Sequence, residues 1–442
     1  MDRPLFSILV WTIGTNLDYY REFLSSIAEQ DYDNFQLIVL DDNAVSELET
    51  ITKEFLPEND KVIYRKLKKH NSRAYALNIG LHFATGDYIV LGGQHDTFSP
   101  IALSKLAEKI EADDSEIIYS DHDELIAGNR MNPHFKSDFN KGLFLQTNYI
   151  GEFICFKKSI ITKAGKFDEK WQSADIYEYI VRAMEVGFKI NHIPVLLFHR
   201  RMIEVPSNSS YRKIMEQAYN EHRAVSKEYF RRQGLKVNIL SDPGLRYWRT
   251  EFDGSDYKLK KKEYIVLRNK SVKVHSPKKA MAKMYGQLKQ KDVAVVGCKF
   301  MQSTFTVANA GYIYDTNGIT YPACYREKSY QDGYDYRQLL SQDVSLVDFG
   351  FCLLDENVYR HLHGFNTELT GMDMFLDYCL RVEKAGYRVV YESSVVAKDK
   401  EPEQVSNEVS NARLVDIWGE RLKIGDQYYN ENLPMGMDNY SL

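Results

Sequence analysis

The sequence predicts an α/β fold: a doubly wound layer structure followed by a partial second copy of itself. Three observations predict it. Short apolar runs alternate with helix-period segments through the first half of the chain, the pattern of a parallel sheet covered by helices. Phe153, Lys157, Phe167, Asp168 and Asp175 then align without a gap on Phe351, Asp355, Phe365, Asn366 and Asp373, at a constant spacing of 198. Nothing in the second half repeats residues 5–87.

The elements follow in order. Phe6-Ser7-Ile8-Leu9-Val10-Trp11 is an apolar run suited to a strand buried on both faces. Leu17, Tyr20, Leu24 and Ile27 fall at helical spacing within residues 16–29. Residues 35–40 form a second buried strand ending in Asp41-Asp42-Asn43, and a further helix pattern leads to Val62-Ile63-Tyr64. A helix beginning near Arg73 runs toward Gly86, and Tyr88-Ile89-Val90-Leu91 is the next strand. Ligands of such sheets bind at the carboxyl ends of the strands. Asp41, Asp42 and residues 92–96 lie just past strand ends and are expected to face one site.

Residues 210–235 read as one long helix, with Ile214, Ala218, His222, Val225 and Phe230 near one face, which joins the two copies or packs across them. The second copy opens on Tyr264-Ile265-Val266-Leu267, which repeats residues 88–91, and Gly386-Tyr387-Arg388 repeats Gly187-Phe188-Lys189. The expected organisation is a complete domain over 1–205, a helical linker over 206–258, a truncated second domain over 259–400 and a C-terminal extension over 401–442. An aromatic run, with Tyr321, Tyr325, Tyr330, Tyr334 and Tyr336, is suited to stacking on a glycan or to an ordinary loop.

Composition narrows the function. A net charge of −5 over 442 residues gives no electrostatic footprint for nucleic acid. The five cysteines form no Cys-x-x-Cys pair and are odd in number, which fits reduced thiols in a cytoplasmic protein. Met1-Asp2-Arg3-Pro4 leads directly into a strand pattern, without a signal-peptide pattern. No apolar run approaches the ~20 residues that span a bilayer.

The collinear set of motifs resembles a known family. Residues 35–42, then Asn71-Ser72-Arg73-Ala74-Tyr75-Ala76-Leu77-Asn78, Ala84-Thr85-Gly86-Asp87-Tyr88, Ser99-Pro100, Tyr119-Ser120-Asp121-His122-Asp123, Asn148-Tyr149-Ile150-Gly151 and residues 192–200 are similar to family 2 glycosyltransferases of the GT-A fold. The likeness covers residues 5–201 and is to the branch that builds bacterial surface polysaccharides and protein-linked glycans. It implies a Rossmann-like nucleotide-binding half, an acceptor half, and a following GT-A-like repeat without its donor half. It also implies a nucleotide-sugar donor, UDP-linked, and inverting transfer to a hydroxyl of a glycan, glycopeptide or lipid-linked acceptor. The setting is the cytoplasm or the inner face of the membrane, with peripheral attachment or a homo-oligomer allowed.

By the same resemblance, Asp42 accepts from uracil, Thr12 and Asp41 line the base pocket, and Arg73 sits beside uracil and diphosphate. The family's Asp-x-Asp metal motif is replaced here by Gly93, Gln94, His95 and Asp96. The implied ligands of a divalent cation are therefore His95, Asp96 and His199, and an imidazole ligand favours Mn²⁺ over Mg²⁺. The catalytic base expected at the start of a helix falls on Asp175, one residue from the family's position, where a helix-start role is equally open. In the second copy Arg268-Asn269-Lys270-Ser271-Val272-Lys273 offers no carboxylate for a metal. The drift of metal and base positions leaves a second hypothesis, a non-catalytic glycosyltransferase-like protein that binds glycan or supports a partner.

Overall fold

A computed structural model of the chain describes residues 3–44, 47–57, 60–68, 72–203, 209–399, 407–436 and 440. The expected borders at 205/206 and 400/401 lie outside the described residues, as does Asn71. Two compact units form: Met1–Phe139 with Ile150–Ser226, and Asn140–Tyr149 with Lys227–Leu442.

The first unit begins β1 (Phe6–Thr12), α1 (Leu17–Ala28), β2 (Phe35–Asp41), α2 (Leu48–Phe55), β3 (Val62–Lys66), α3 (Arg73–Phe83) and β4 (Tyr88–Leu91). Asn16 caps α1 by accepting from the Asp18 and Tyr19 amides at 3.0 and 3.2 Å. The unit continues through β5 (Thr97–Phe98), α4 (Ala102–Asp113), β6 (Ile117–Ile126) and β7 (Asn129–His134). A short helix α5 (Lys141–Phe144) belongs to the second unit. The first resumes with β8 (Ile154–Lys157), α6 (Ile161–Ala164), α7 (Asp175–Glu185), β9 (Ile190–Arg201) and α8 (Ser209–Arg232), whose residues up to Ser226 group with it.

The strand order is β3-β2-β1-β4-β8-β6-β9-β5, with β7 beside β6. Strands β1, β2, β3 and β4 are mutually parallel, so their carboxyl ends share one edge. All seven residues of β2 are buried, as the apolar run requires of a strand covered on both faces. Helix α3 packs so closely that a Cβ on Gly80 would lie 2.8 Å from Leu9 Cδ2 and 2.9 Å from Leu40 Cδ1. That contact seats α3, whose first residue is Arg73, on β1 and β2.

The second unit holds β10 (Val237–Ser241), β11 (Trp248–Phe252), β12 (Tyr264–Arg268), β13 (Lys273–Val274), α9 (Pro277–Leu288), β14 (Val293–Met301) and β15 (Val307–Asn309). After them come β16 (Tyr312–Tyr314), β17 (Thr320–Pro322), β18 (Gln342–Asp343), β19 (Phe351–Asp355), α10 (Glu356–His361), α11 (Gly371–Lys384), β20 (Arg388–Lys398) and α12 (Glu408–Leu422). Its main sheet runs β12-β19-β14-β20-β13, with β15 beside β14 and β18 beside β20. This is the order β4-β8-β6-β9-β5 again, with the same parallel and antiparallel pairings at each step. Among the described residues nothing pairs with the edge of β12 where the first unit has β1.

The repeat extends to side chains. Arg182 of α7 binds Glu178 one turn back and the Ala164 carbonyl, and Arg381 of α11 binds Asp377 one turn back and the Leu362 carbonyl. The aromatic run is folded inward, with Tyr330 the broadly exposed member at 71%. All five cysteines are buried, and none forms a disulfide among the described residues.

Candidate active site

The parallel edge of the first unit places Thr12 at the end of β1 beside Asp41 at the end of β2. Asp41 is fully buried, and its carboxylate accepts from the Asn43 backbone amide at 2.9 Å, Asn43 Nδ2 at 2.8 Å, Lys66 Nζ at 3.0 Å and the Tyr64 hydroxyl. The Asp42 amide donates to the Thr12 carbonyl at 2.9 Å, and Asp42 is 2% exposed. The three residues expected at the base pocket are thus brought together. Asp41 is held by the turn it closes.

Past β4 opens a cleft of about 240 Å³, lined among others by Trp11, Arg73, Gly93, His95, Asp96, Glu152 and Arg201. Thr12, Asp41, Asp42, Asp175 and His199 are not among its lining residues. The indole N–H of Trp11 is buried and meets no acceptor among the described residues, so an acceptor atom of a ligand would satisfy it.

Asp96 occupies the place that a side chain at position 93 would take. A Cβ on Gly93 would lie 2.1 Å from Asp96 Oδ2, so a carboxylate from three residues on fills the space above this glycine. Asp96 Oδ1 accepts the Arg201 amide at 2.8 Å. Burial pushes its pKa up to about 6, against the pull of that amide. His95 is held neutral by burial and by Arg201 nearby, and its Nε2 accepts the Asn16 amide at 3.2 Å.

Arg73, the first residue of α3, joins two carboxylates. Its Nε lies 3.0 and 3.2 Å from the two oxygens of Asp175, its Nη2 is 2.6 Å from Asp175 Oδ1, and its Nη1 is 2.8 Å from Glu152 Oε1. Asp175 opens α7 as expected, but it is fully buried and both its oxygens are engaged by this guanidinium. Glu152 keeps 58% of its side chain exposed, and Arg73 holds its carboxyl below the usual range. Helix α8 fixes α7 from outside. Glu221 Oε2 accepts the Gln172 and Ser173 amides at 2.9 and 2.8 Å, and Ser226 bonds the Tyr177 hydroxyl at 2.8 Å. His222, ring to ring with Tyr177 at 5.0 Å, is kept neutral by burial.

His199 lies opposite Thr97 in the β5–β9 pairing, next to the strand position of Asp96. Its Nδ1 is 2.6 Å from Asp123 Oδ1, and Asp123 Oδ2 accepts from Arg130 Nε at 2.7 Å. A proton on Nδ1 leaves Nε2 as the acceptor, the arrangement of a carboxylate-oriented ligand. Asp121 is held by His192 at 2.8 Å and by the Lys136 amide at 2.8 Å.

Among the described residues no group of three or more His, Cys, Asp or Glu could hold a metal by itself. The residues fit a cation that takes most of its ligands from phosphate and water. Asp96 offers one hard oxygen, and its raised pKa is that of a buried carboxylate without a cationic partner at full strength.

Sequence reasoning missed Glu152, which directly follows the matched Asn148-Tyr149-Ile150-Gly151, and His222, read there as part of a long helix face. It also missed Arg73 as a bridge. Its two carboxylate partners lie 79 and 102 residues away, and no local pattern carries such a pairing.

Residues 7–164 match the model of the glycosyl transferase family 2. An uncharacterized protein of Sinorhizobium fredii is 22% identical over 99% of this chain and 58% of its own length. The O-antigen biosynthesis protein RfbC of Myxococcus xanthus is 27% identical over 55% of this chain and 19% of its own length. The chain therefore spans less than two thirds of either relative. Among solved structures, residues 1–349 of S. aureus TarS in complex with UDP-GlcNAc is 16% identical, with a TM-score of 0.41, covering 51% of this chain and 70% of that one.

Proposed function

We propose that this chain moves a sugar from a nucleotide-sugar donor, UDP-linked, to a hydroxyl acceptor by a single inverting displacement, a reading supported by the match of residues 7–164 to the glycosyl transferase family 2 model. The observation that carries this reading is the cleft at the carboxyl edge of the parallel strands, where Arg73, Asp96 and Glu152 face one space beside the buried Trp11 N–H. Asp42 and Thr12 are the proposed uracil contacts, and Asp41 stiffens the turn beneath them.

The acceptor oxygen attacks the anomeric carbon, and the bond from that carbon to the diphosphate breaks with its electron pair on the phosphate. The hydroxyl proton passes to a carboxylate. Glu152 is the carboxylate we assign, because it opens into the cleft. Asp175, at the expected base position, keeps Arg73 in place. A donor diphosphate competes with Glu152 for Arg73, and its capture of that guanidinium frees Glu152 to take the proton. Asp96, flanked by His95 and His199, would hold a divalent cation, Mn²⁺ in preference to Mg²⁺, and such a cation supplies charge neutralisation on the leaving diphosphate.

The relation to an O-antigen biosynthesis protein supports a bacterial surface glycan, glycopeptide or lipid-linked intermediate as acceptor. It also supports work in the cytoplasm or at the inner face of the membrane. No helix among the described residues is long and apolar enough to cross a membrane. One observation favours the non-catalytic reading: Asp175, the carboxylate one residue from the family's base position, is fully buried in an ion pair.

Calorimetry with UDP and Mn²⁺, run beside turnover on a panel of nucleotide sugars, separates the two. The transfer reading expects UDP binding, and Glu152→Gln should bind UDP more tightly, because Arg73 loses a competitor. The same variant should lose about 10²–10⁴-fold in turnover, the range for a missing general base. Absence of UDP binding at millimolar concentration would sink the transfer reading. UDP binding without transfer or hydrolysis would establish the binding protein instead.

A further inference from the structure

A second, larger groove, of about 680 Å³, lies wholly within the second unit, between the end of α8 and the β10–β11 hairpin. Its floor is apolar. Phe230 and Phe252 are 3% and 9% exposed and meet edge to face at 5.3 Å, and the half-buried Leu235 and Ile239 extend the surface they make. Its rim is cationic. Lys227, Arg231 and Lys236 are exposed, and none of the three is in a recorded ion pair among the described residues. The fourth cation, Lys283, is held by Glu251 at 2.9 Å, and Asp253 is turned to the Ser255 amide at 3.0 Å.

Four cations against Glu251 and Asp253 leave a local excess of two positive charges around an apolar trough, in a chain of net charge −5, so the excess does not follow from a basic composition. A ligand complementary to both features has an anionic head on an apolar stem. Inorganic phosphate would satisfy the cations and leave the open faces of Leu235, Val237 and Ile239 wet. An acidic peptide would find few side-chain hydrogen-bonding partners for its backbone, since Asn238 is the one uncharged polar residue among the described lining residues. We infer that this groove takes the headgroup and first methylenes of an anionic phospholipid, seating the second unit on a membrane surface. The inference does not depend on the transfer reading, since none of these residues belongs to the cleft of the first unit.

The full chain is pelleted with phosphatidylcholine vesicles that contain or lack phosphatidylglycerol. Binding is expected to the anionic vesicles and to weaken as salt is raised. Lys227→Glu with Arg231→Glu should weaken it by about thirtyfold or more, from the loss of two basic groups at a charged surface. Leu235→Asp should weaken it as well, through the trough. Lys261→Glu with Lys262→Glu, on exposed lysines outside the groove, should stay within about threefold, because a specific site differs from a diffuse field. Circular dichroism establishes that each variant is folded. Equal pelleting with neutral vesicles, retention by the Lys227/Arg231 variant, or equal loss in the Lys261/Lys262 variant would overturn the proposal. Displacement by millimolar inorganic phosphate would overturn it too, and would mark a free-anion site.

Discussion

Replacing Asp96 with asparagine removes a charge that the first unit holds at a cost. Burial sets the Asp96 pKa at about 6, against 3.8 for an ordinary aspartate, so the folded chain binds its proton more tightly than the unfolded chain does. Below the lower value both states are protonated and the residue is neutral to stability. Between the two values the unfolded chain releases the proton first, and stability falls as pH rises. At pH 4.5, between the two values, the loss is about 1 kcal/mol; above the upper value it is complete and constant, about 3 kcal/mol at pH 7.5. Asparagine keeps an oxygen for the Arg201 amide and carries no charge. Asp96→Asn should therefore be the more stable protein by up to those amounts, with the gap closing as pH falls. Urea unfolding of both proteins in the presence of a chelator, at the two pH values, measures it. The same variant should lose Mn²⁺-dependent UDP binding. A variant no more stable than its parent at pH 7.5 would refute the claim that the fold bears an uncompensated charge there.

Two further outcomes are expected. Gly93→Ala places a methyl where Asp96 Oδ2 lies, 2.1 Å from the ideal Cβ. The carboxylate must swing away, so Mn²⁺-dependent UDP binding should fall by about tenfold or more while stability stays within about 1 kcal/mol, as titration calorimetry and urea unfolding can establish. In the second unit Arg388 joins Asp343 at 2.6 Å to Asp292 at 2.8 Å, with 11% of its side chain exposed. Arg388→Met leaves Asp292 with Lys141 and Asp343 with the Gly142 amide but takes the shared guanidinium from both, and should cost about 3 kcal/mol in urea unfolding, leaving UDP affinity unchanged.

The strands of the donor half were legible because each carries its own signal. A parallel strand covered on both faces must be mostly apolar, and residues 6–11, 35–40 and 88–91 are, the polar Ser7 and Gln36 being hydrogen-bonded to each other at 2.8 Å. The truncated repeat was legible for a related reason. Side chains that pack one sheet order recur at one spacing, and the strand order β12-β19-β14-β20-β13 repeats what that spacing implied. The site was legible in part. Thr12, Asp41 and Asp42 converge, and His95 and Asp96 share a cleft with Arg73. What escaped was pairing between distant residues. Nothing local to Asp175 announces that Arg73 will enclose it, and nothing local to Glu152 announces that it alone of that pair's carboxylates faces solvent. The membership of residues 140–149 in the second unit escaped for the same reason, since their partners lie about 200 residues on.

That last segment sets a timetable for synthesis. Asn140 donates to the Asp343 carbonyl at 2.9 Å and accepts the Asp343 amide at 3.0 Å, and Leu143, Phe144 and Leu145 beside it are buried. These residues leave the ribosome well before Asp343 is made. At about 5–20 residues per second, the 203 positions between Asn140 and Asp343 take about 10–40 s to add. About halfway through that interval residues 246–250 emerge and bond Leu145, Gln146 and Thr147, while Asn140 still waits for Asp343. A shortened chain ending between residues 250 and 343 would keep the first set of bonds and leave the Asn140 side chain without its Asp343 partners.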